Sequence, residues 1–141
     1  METKEIRGLG MPWEKEYGYA QALKIGKSVW ISGQLGADES GNLAEGMEAQ
    51  MQQTYQNIEK LLKTFDMGMD TVVEETIYVT DMESAFRARK KLGRTAYPDV
   101  MSVPSTMVEI IGLALPRQVV EIKVEARAKK KKKAEKDKVK A

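Results

Sequence analysis

Residues Val103 to Ala128 read VPSTMVEIIGLALPRQVVEIKVEARA, and the way this stretch alternates decides the fold. Ser105–Ile110 and Val119–Glu125 each have a period of two, the signature of a strand with one face buried. Gly112 and Pro116 mark the connection between them. In each run an apolar set can point one way: Thr106, Val108 and Ile110 in the first, Val120, Ile122 and Val124 in the second. The remainder, Ser105, Met107 and Glu109 with Val119, Glu121, Lys123 and Glu125, then point the other way. The first face suits a core. The second carries carboxylates and is either wet or part of a site.

Upstream, YAQALKI (19–25) and SVWISGQ (28–34) read as strands joined at Gly26-Lys27. Gly33 marks a bulge or a close approach by another group. Met47, Met51, Ile58, Leu61, Leu62 and Phe65 recur at helical spacing, which gives a helix over 46–65 that stops near Gly68. VVEETIYV (72–79) is a third strand. Asp81 is suited to cap a second helix, MESAFRARKKLGRTAY, with Phe86 inward and Arg87, Arg89, Lys90 and Lys91 largely on its polar surface. The order is β-β-α-β-α-β-β. It predicts an α+β sandwich with both helices on one face of a mixed sheet. The opposite face, half apolar and half acidic, suits an oligomer interface better than water.

At 141 residues the chain is one domain, with residues 1–10 expected as a frayed lead-in, 11–128 as the folded unit and 129–141 as a disordered tail. The tail, KKKKKAEKDKVKA, sets eight lysines against Glu135 and Asp137. Its local charge is +6, so the net +2 leaves residues 1–128 at −4. It reads as a solvated extension, as a weak nonspecific contact for RNA or another anionic surface, or as a targeting signal. No aromatics interleave the lysines to stack on bases. No segment is apolar enough to span a membrane, and the N-terminus lacks a leader's apolar run. The absence of Cys permits a cytoplasmic location, which is the one expected. With neither Cys nor His in the chain, thiolate and imidazole chemistry is excluded and so are the commonest zinc ligands.

Taken together, PWE followed by GYAQAL, the strand VWISGQ, the helix with Gln53 and Asn57-Ile58, TIYVTDM, and PSTMVEI…LP…VVEI resemble the RidA/YjgF family from Met11 to Ala128. The resemblance implies a chorismate-mutase-like (ferredoxin-like) fold and a homotrimer whose sheets line a central barrel, with clefts between subunits. It also implies hydrolysis of reactive 2-imino or enamine acids to 2-keto acids and ammonia, with no metal or cofactor. By motif, Glu121 is the catalytic, water-orienting carboxylate. Tyr19, Ser32, Gly33, Pro104, Ser105 and Thr106 line the substrate site.

Two positions depart from that pattern. Ser105 stands where the family's deaminases carry an arginine that grips the substrate carboxylate, and a hydroxyl cannot replace a bidentate guanidinium. Arg89 stands where an asparagine is usual; it either supplies part of the missing grip or is one more solvated charge. Glu121 shares its face with Lys123 and Glu125, so without the resemblance it reads as a solvated acid, and only the resemblance makes it a cleft residue. The expected function is a trimeric binder of a small carboxylate- or carbonyl-bearing metabolite, with at most weak or altered deaminase activity. The alternatives are a non-catalytic metabolite sensor and an RNA-associated protein, ribonuclease or translation inhibitor in type, that uses the tail.

Overall fold

The computed structural model describes residues 3–130. Six strands form one sheet: Lys4–Arg7 (β1), Ala22–Ile25 (β2), Ser28–Gln34 (β3), Val72–Val79 (β4), Ser105–Glu109 (β5) and Val120–Arg127 (β6). Their spatial order is β1-β2-β3-β6-β4-β5, antiparallel throughout except for the β4–β5 pair. The helices are Pro12–Tyr17 (α1), Met47–Lys63 (α2) and Met82–Ala96 (α3). α3 carries the chain from β4 to its parallel neighbour β5, the crossover that a parallel pair requires.

The lead-in is not wholly frayed. Residues 4–7 pair antiparallel with β2, Lys4 opposite Ile25 and Arg7 opposite Ala22, and extend the sheet by one edge strand. Four mostly polar residues give too short a period to betray a strand. α1 follows, with Pro12 in its first turn, where a missing N–H costs nothing. The Glu14 carboxylate accepts from the Met11 and Leu9 amides at 2.7 and 3.2 Å. Gly18, at φ 89°, ends the helix in the left-handed region that glycine tolerates. The expected β-β-α-β-α-β-β order is therefore present, with β1 and α1 preceding it. The tail lies outside the described residues from 131 onward.

One core lies between the sheet and helices α2 and α3. In β6 the expected alternation holds, with Val120, Ile122, Val124 and Ala126 all buried. They meet Met51, Ile58, Leu61 and Leu62 of α2 and Ala85, Ala88 and Leu92 of α3. Asp81 caps α3 by accepting from the Ser84 amide at 3.0 Å.

Two assignments reverse. The inward stripe of α3 is Ala85, Ala88, Arg89 and Leu92, at i, i+3, i+4 and i+7. Phe86, one step off it, is 60% exposed, whereas the Arg89 side chain is only 16% exposed. In β5 the register against β4 sets Ser105 beside Glu75 and Met107 beside Ile77, so Ser105 and Met107 face the helices. Val108 points away and is 39% exposed. β5 is an edge strand whose phase follows its partner, and among the described residues no second layer covers its more apolar side. In consequence Ser105 and Glu121, expected on one face, lie on opposite faces of the sheet.

Candidate functional site

Glu121 projects from β6 on the face away from the helices, registered against Tyr78 of β4. At the same level the register between β3 and β6 slips between Ile31 and Gln34, a bulge that contains Ser32 and Gly33. A Cβ on Gly33 would fall within 2.6 Å of the Glu121 carboxyl carbon. Glycine leaves the room that the carboxylate occupies. The bulge and the acid form a single feature.

Around them lies a cavity of about 380 Å³. Trp13 and Tyr17 of α1 and Tyr19 just beyond it supply one wall, Leu35, Ala114 and Leu115 another, and Ser32, Gly33, Gln118 and Glu121 the polar end. Tyr17 and Tyr19 meet edge to face at 5.7 Å between centroids. Burial raises the proton affinity of Glu121, opposed by the Gln118 amide that donates to it at 3.4 Å. Burial also pushes the Tyr19 phenol up, and the charges of Glu14 and Glu121 add to that. Ser32 Oγ donates to the Ala20 carbonyl at 2.7 Å, which leaves its lone pairs toward the cavity. Trp13 Nε1 is buried beside the Tyr19 phenol, whose ionised form it would favour, and among the described residues it has no well-aligned hydrogen-bond acceptor. A partly desolvated carboxyl at the end of an apolar pocket can hold a water or a ligand N–H and can exchange a proton with either.

A second polar cluster lies on the helix side. Glu75, fully buried, receives the hydroxyls of Tyr55 and Tyr97 on Oε1 at 2.8 and 2.7 Å. Its Oε2 takes Arg89 through Nε and Nη2, both at 2.7 Å, and Ser105 Oγ at 2.6 Å. Burial, followed by the charge of Glu75, drives both phenols far above their ordinary range. Gly93 lets Arg89 lie flat along α3, since a Cβ there would meet its guanidinium carbon at 2.6 Å. Every acceptor direction of the carboxylate has a donor, and this cluster ties α2, β4, α3 and β5 together.

The expected site residues therefore fall into two groups. Tyr19, Ser32, Gly33 and Glu121 share the cavity. Ser105 and Arg89 meet at Glu75 across the sheet, with Pro104 beside them, its carbonyl accepting from the Glu75 amide at 3.0 Å. Thr106 points to the open face. Arg89 is not a solvated surface charge. Sequence reasoning missed Trp13, Tyr17, Leu115 and Gln118 on the cavity wall, and the Glu75–Tyr55–Tyr97 cluster. A signal for Glu75 existed, because it stands in period-two step with the apolar Ile77 and Val79. Among the described residues no group of three or more potential ligands could hold a metal ion, and no helix is long and apolar enough to cross a membrane.

The family model described as Endoribonuclease L-PSP matches residues 13–128. A RutC family protein of Aquifex aeolicus is 31% identical over 88 residues, which cover 62% of this chain and 70% of that protein. A mouse protein named 2-iminobutanoate/2-iminopropanoate deaminase is 33% identical over 66 residues, 45% of this chain and 49% of its own length. The crystal structure of a Mycobacterium tuberculosis protein described as a YjgF family member superposes with a TM-score of 0.79 at 27% identity, covering 89% of this chain and all of that one. The chain belongs to the Endoribonuclease L-PSP family, the RidA/YjgF/RutC group.

Proposed function

We propose that the protein is a homotrimeric small-molecule-binding member of this family. Its cleft joins the Glu121 cavity of one copy to the Ser105 edge of the next, with at most weak or altered enamine/imine hydrolase activity. The observation that carries this reading is the aromatic-walled cavity ending on a partly buried Glu121, for which Gly33 leaves room. A single chain keeps Ser105 on the other face of the sheet, so a cleft containing both needs a second copy. In support, the open face carries a cross-strand apolar row, Ile6 opposite Leu23 opposite Trp30. Ile6 is 60% exposed and Trp30 41% exposed, a surface suited to a partner.

Hydrolysis of an imine needs a water delivered to the C=N carbon, a task that a carboxylate of raised proton affinity can perform by taking the water's proton. Hydrolysis of a 2-imino acid also needs a grip on the substrate carboxylate. Ser105 offers a hydroxyl already donated to Glu75, and Arg89 would have to leave Glu75 to take up that work. The test is coupled ammonia release from an enzymatically generated 2-imino acid. The expected rate is close to the uncatalysed background and insensitive to Glu121→Gln. A large rate abolished by that substitution would establish an efficient deaminase and refute the reading.

A further inference from the structure

The Glu121 cavity has a charge inventory that disfavours an anion. Among the described residues no lysine or arginine lines it. Arg117 and Lys123 stand nearby in sequence, but both are exposed and neither reaches the lining. Arg89 lies across the sheet, held by Glu75. The one charged side chain of the described lining is the Glu121 carboxylate; Ser32 Oγ, whose hydrogen goes to Ala20, is an acceptor, and the Tyr17 and Tyr19 hydroxyls are uncharged donor-acceptors. The Gln118 amide is occupied internally, donating to the Val120 carbonyl and accepting from the Leu115 amide. Trp13 Nε1 is a donor without charge. Three ring faces and edges, from Trp13, Tyr17 and Tyr19, complete the wall.

In the proposed cleft the Ser105 edge of a second copy brings the Glu75–Arg89 pair, already neutralised within itself. A ligand carboxylate entering the cavity would meet another carboxylate in a partly dry space, where like charges repel more strongly than in water. A cation would meet an acid, free lone pairs and aromatic rings, the combination that binds ammonium groups.

We infer that this cleft takes a cationic ligand with an apolar or aromatic body, a protonated amine or iminium lacking a carboxylate. Its N–H groups lie against Glu121 and Ser32, and its body lies against Trp13, Tyr17 and Tyr19. The inference rests on the reading of the Glu121 cavity as the ligand cleft and names what that cleft selects.

The test is calorimetric titration of the full chain with three compounds sharing one body: 3-phenylpropylammonium, 3-phenylpropanol and 3-phenylpropanoate. The ammonium is expected to bind at least about tenfold more tightly than the carboxylate, as one acid and ring contacts to a cation would give. Added salt weakens that preference, and Glu121→Gln removes it. Tyr17→Leu, at a side chain too exposed for its loss to threaten folding, narrows the ammonium-over-alcohol preference. A carboxylate that binds as tightly as the ammonium would overturn the charge class while leaving the cleft a ligand site. A preference that survives Glu121→Gln would overturn the assignment to Glu121. If none of the three binds at millimolar concentration, the inference and the cleft reading both fall.

Discussion

Replacing Glu75 with glutamine keeps its shape and removes its charge. The consequence follows from what surrounds the carboxylate. Two phenol hydroxyls, a serine hydroxyl and a guanidinium all donate to it, at 2.6 to 2.8 Å. A glutamine must turn its own NH₂ toward one pair of these donors, and Arg89, with a side chain only 16% exposed, loses its counter-charge. Removing one partner of a buried ion pair costs about 3–5 kcal/mol. Arg89 keeps a little contact with water, so the lower end of that range is expected. Against a typical stability of roughly 5–15 kcal/mol this is a large fraction. At about 3 °C per kcal/mol for a chain of this size it lowers Tm by roughly 9 °C. The assay is urea unfolding at fixed protein concentration, because assembly would make the midpoint concentration-dependent. Arg89→Gln should cost a similar amount. The double variant should fall short of the sum by about 1–3 kcal/mol, because the second substitution removes a charge already orphaned by the first. Single costs below about 1 kcal/mol, or additivity within about 0.5 kcal/mol, would refute the view that these residues act as one unit.

Gly33→Ala forces the Glu121 carboxylate from its seat. It should cost about 1–3 kcal/mol by overpacking and weaken ligand binding at least tenfold, as measured by urea unfolding and calorimetry. Glu121 makes a signed prediction with pH. A carboxyl whose folded pKa is raised favours the folded state most below its unfolded value, and that contribution is lost as pH rises through the folded pKa. Glu121→Gln should therefore gain stability relative to the parent as pH rises above about 4, levelling off once the folded-state carboxyl has ionised, while ammonium affinity in the parent rises over the same range. Tyr19 and Tyr78 also face or neighbour Glu121, but a phenol ionises at about pH 10, above this range. Truncation after Ala128 removes the eight tail lysines. RNA retained in a gel-shift assay by the full chain should be lost on truncation, and should fall steeply in the full chain between about 50 and 200 mM salt. Retention by the truncated chain would move the RNA contact into residues 1–128.

Much of the fold could be read in the chain because local and global signals agree. β6 alternates cleanly because it is central and has helices over one face only, and α2 shows its stripe because it crosses the middle of the sheet. Asp81 caps α3 by chemistry confined to four residues. The misreadings occur where a distant partner sets the phase. Val108 is more apolar than Ser105, yet register with β4 turns Ser105 to the helix side, where Glu75 receives it. Phe86 is the largest apolar residue of α3, yet the inward stripe passes through Arg89, because the small Ala85 and Ala88 let the helix approach and Glu75 supplies a counter-charge. Four of the ten residues that line the cavity were legible, Tyr19, Ser32, Gly33 and Glu121. Trp13 and Tyr17 reach it only because α1 folds back over the end of β3, a placement that no spacing in the sequence encodes.

The two half-sites lie on opposite faces of one sheet, so the proposed cleft, if it joins them, is complete only between copies. Sedimentation equilibrium of the full chain, alone and with a saturating ligand, tests this most directly. A single species of three times the 15.8 kDa chain mass, binding one ligand per chain, is the predicted result. A monomer of 15.8 kDa that binds the ligand with undiminished affinity would contradict it.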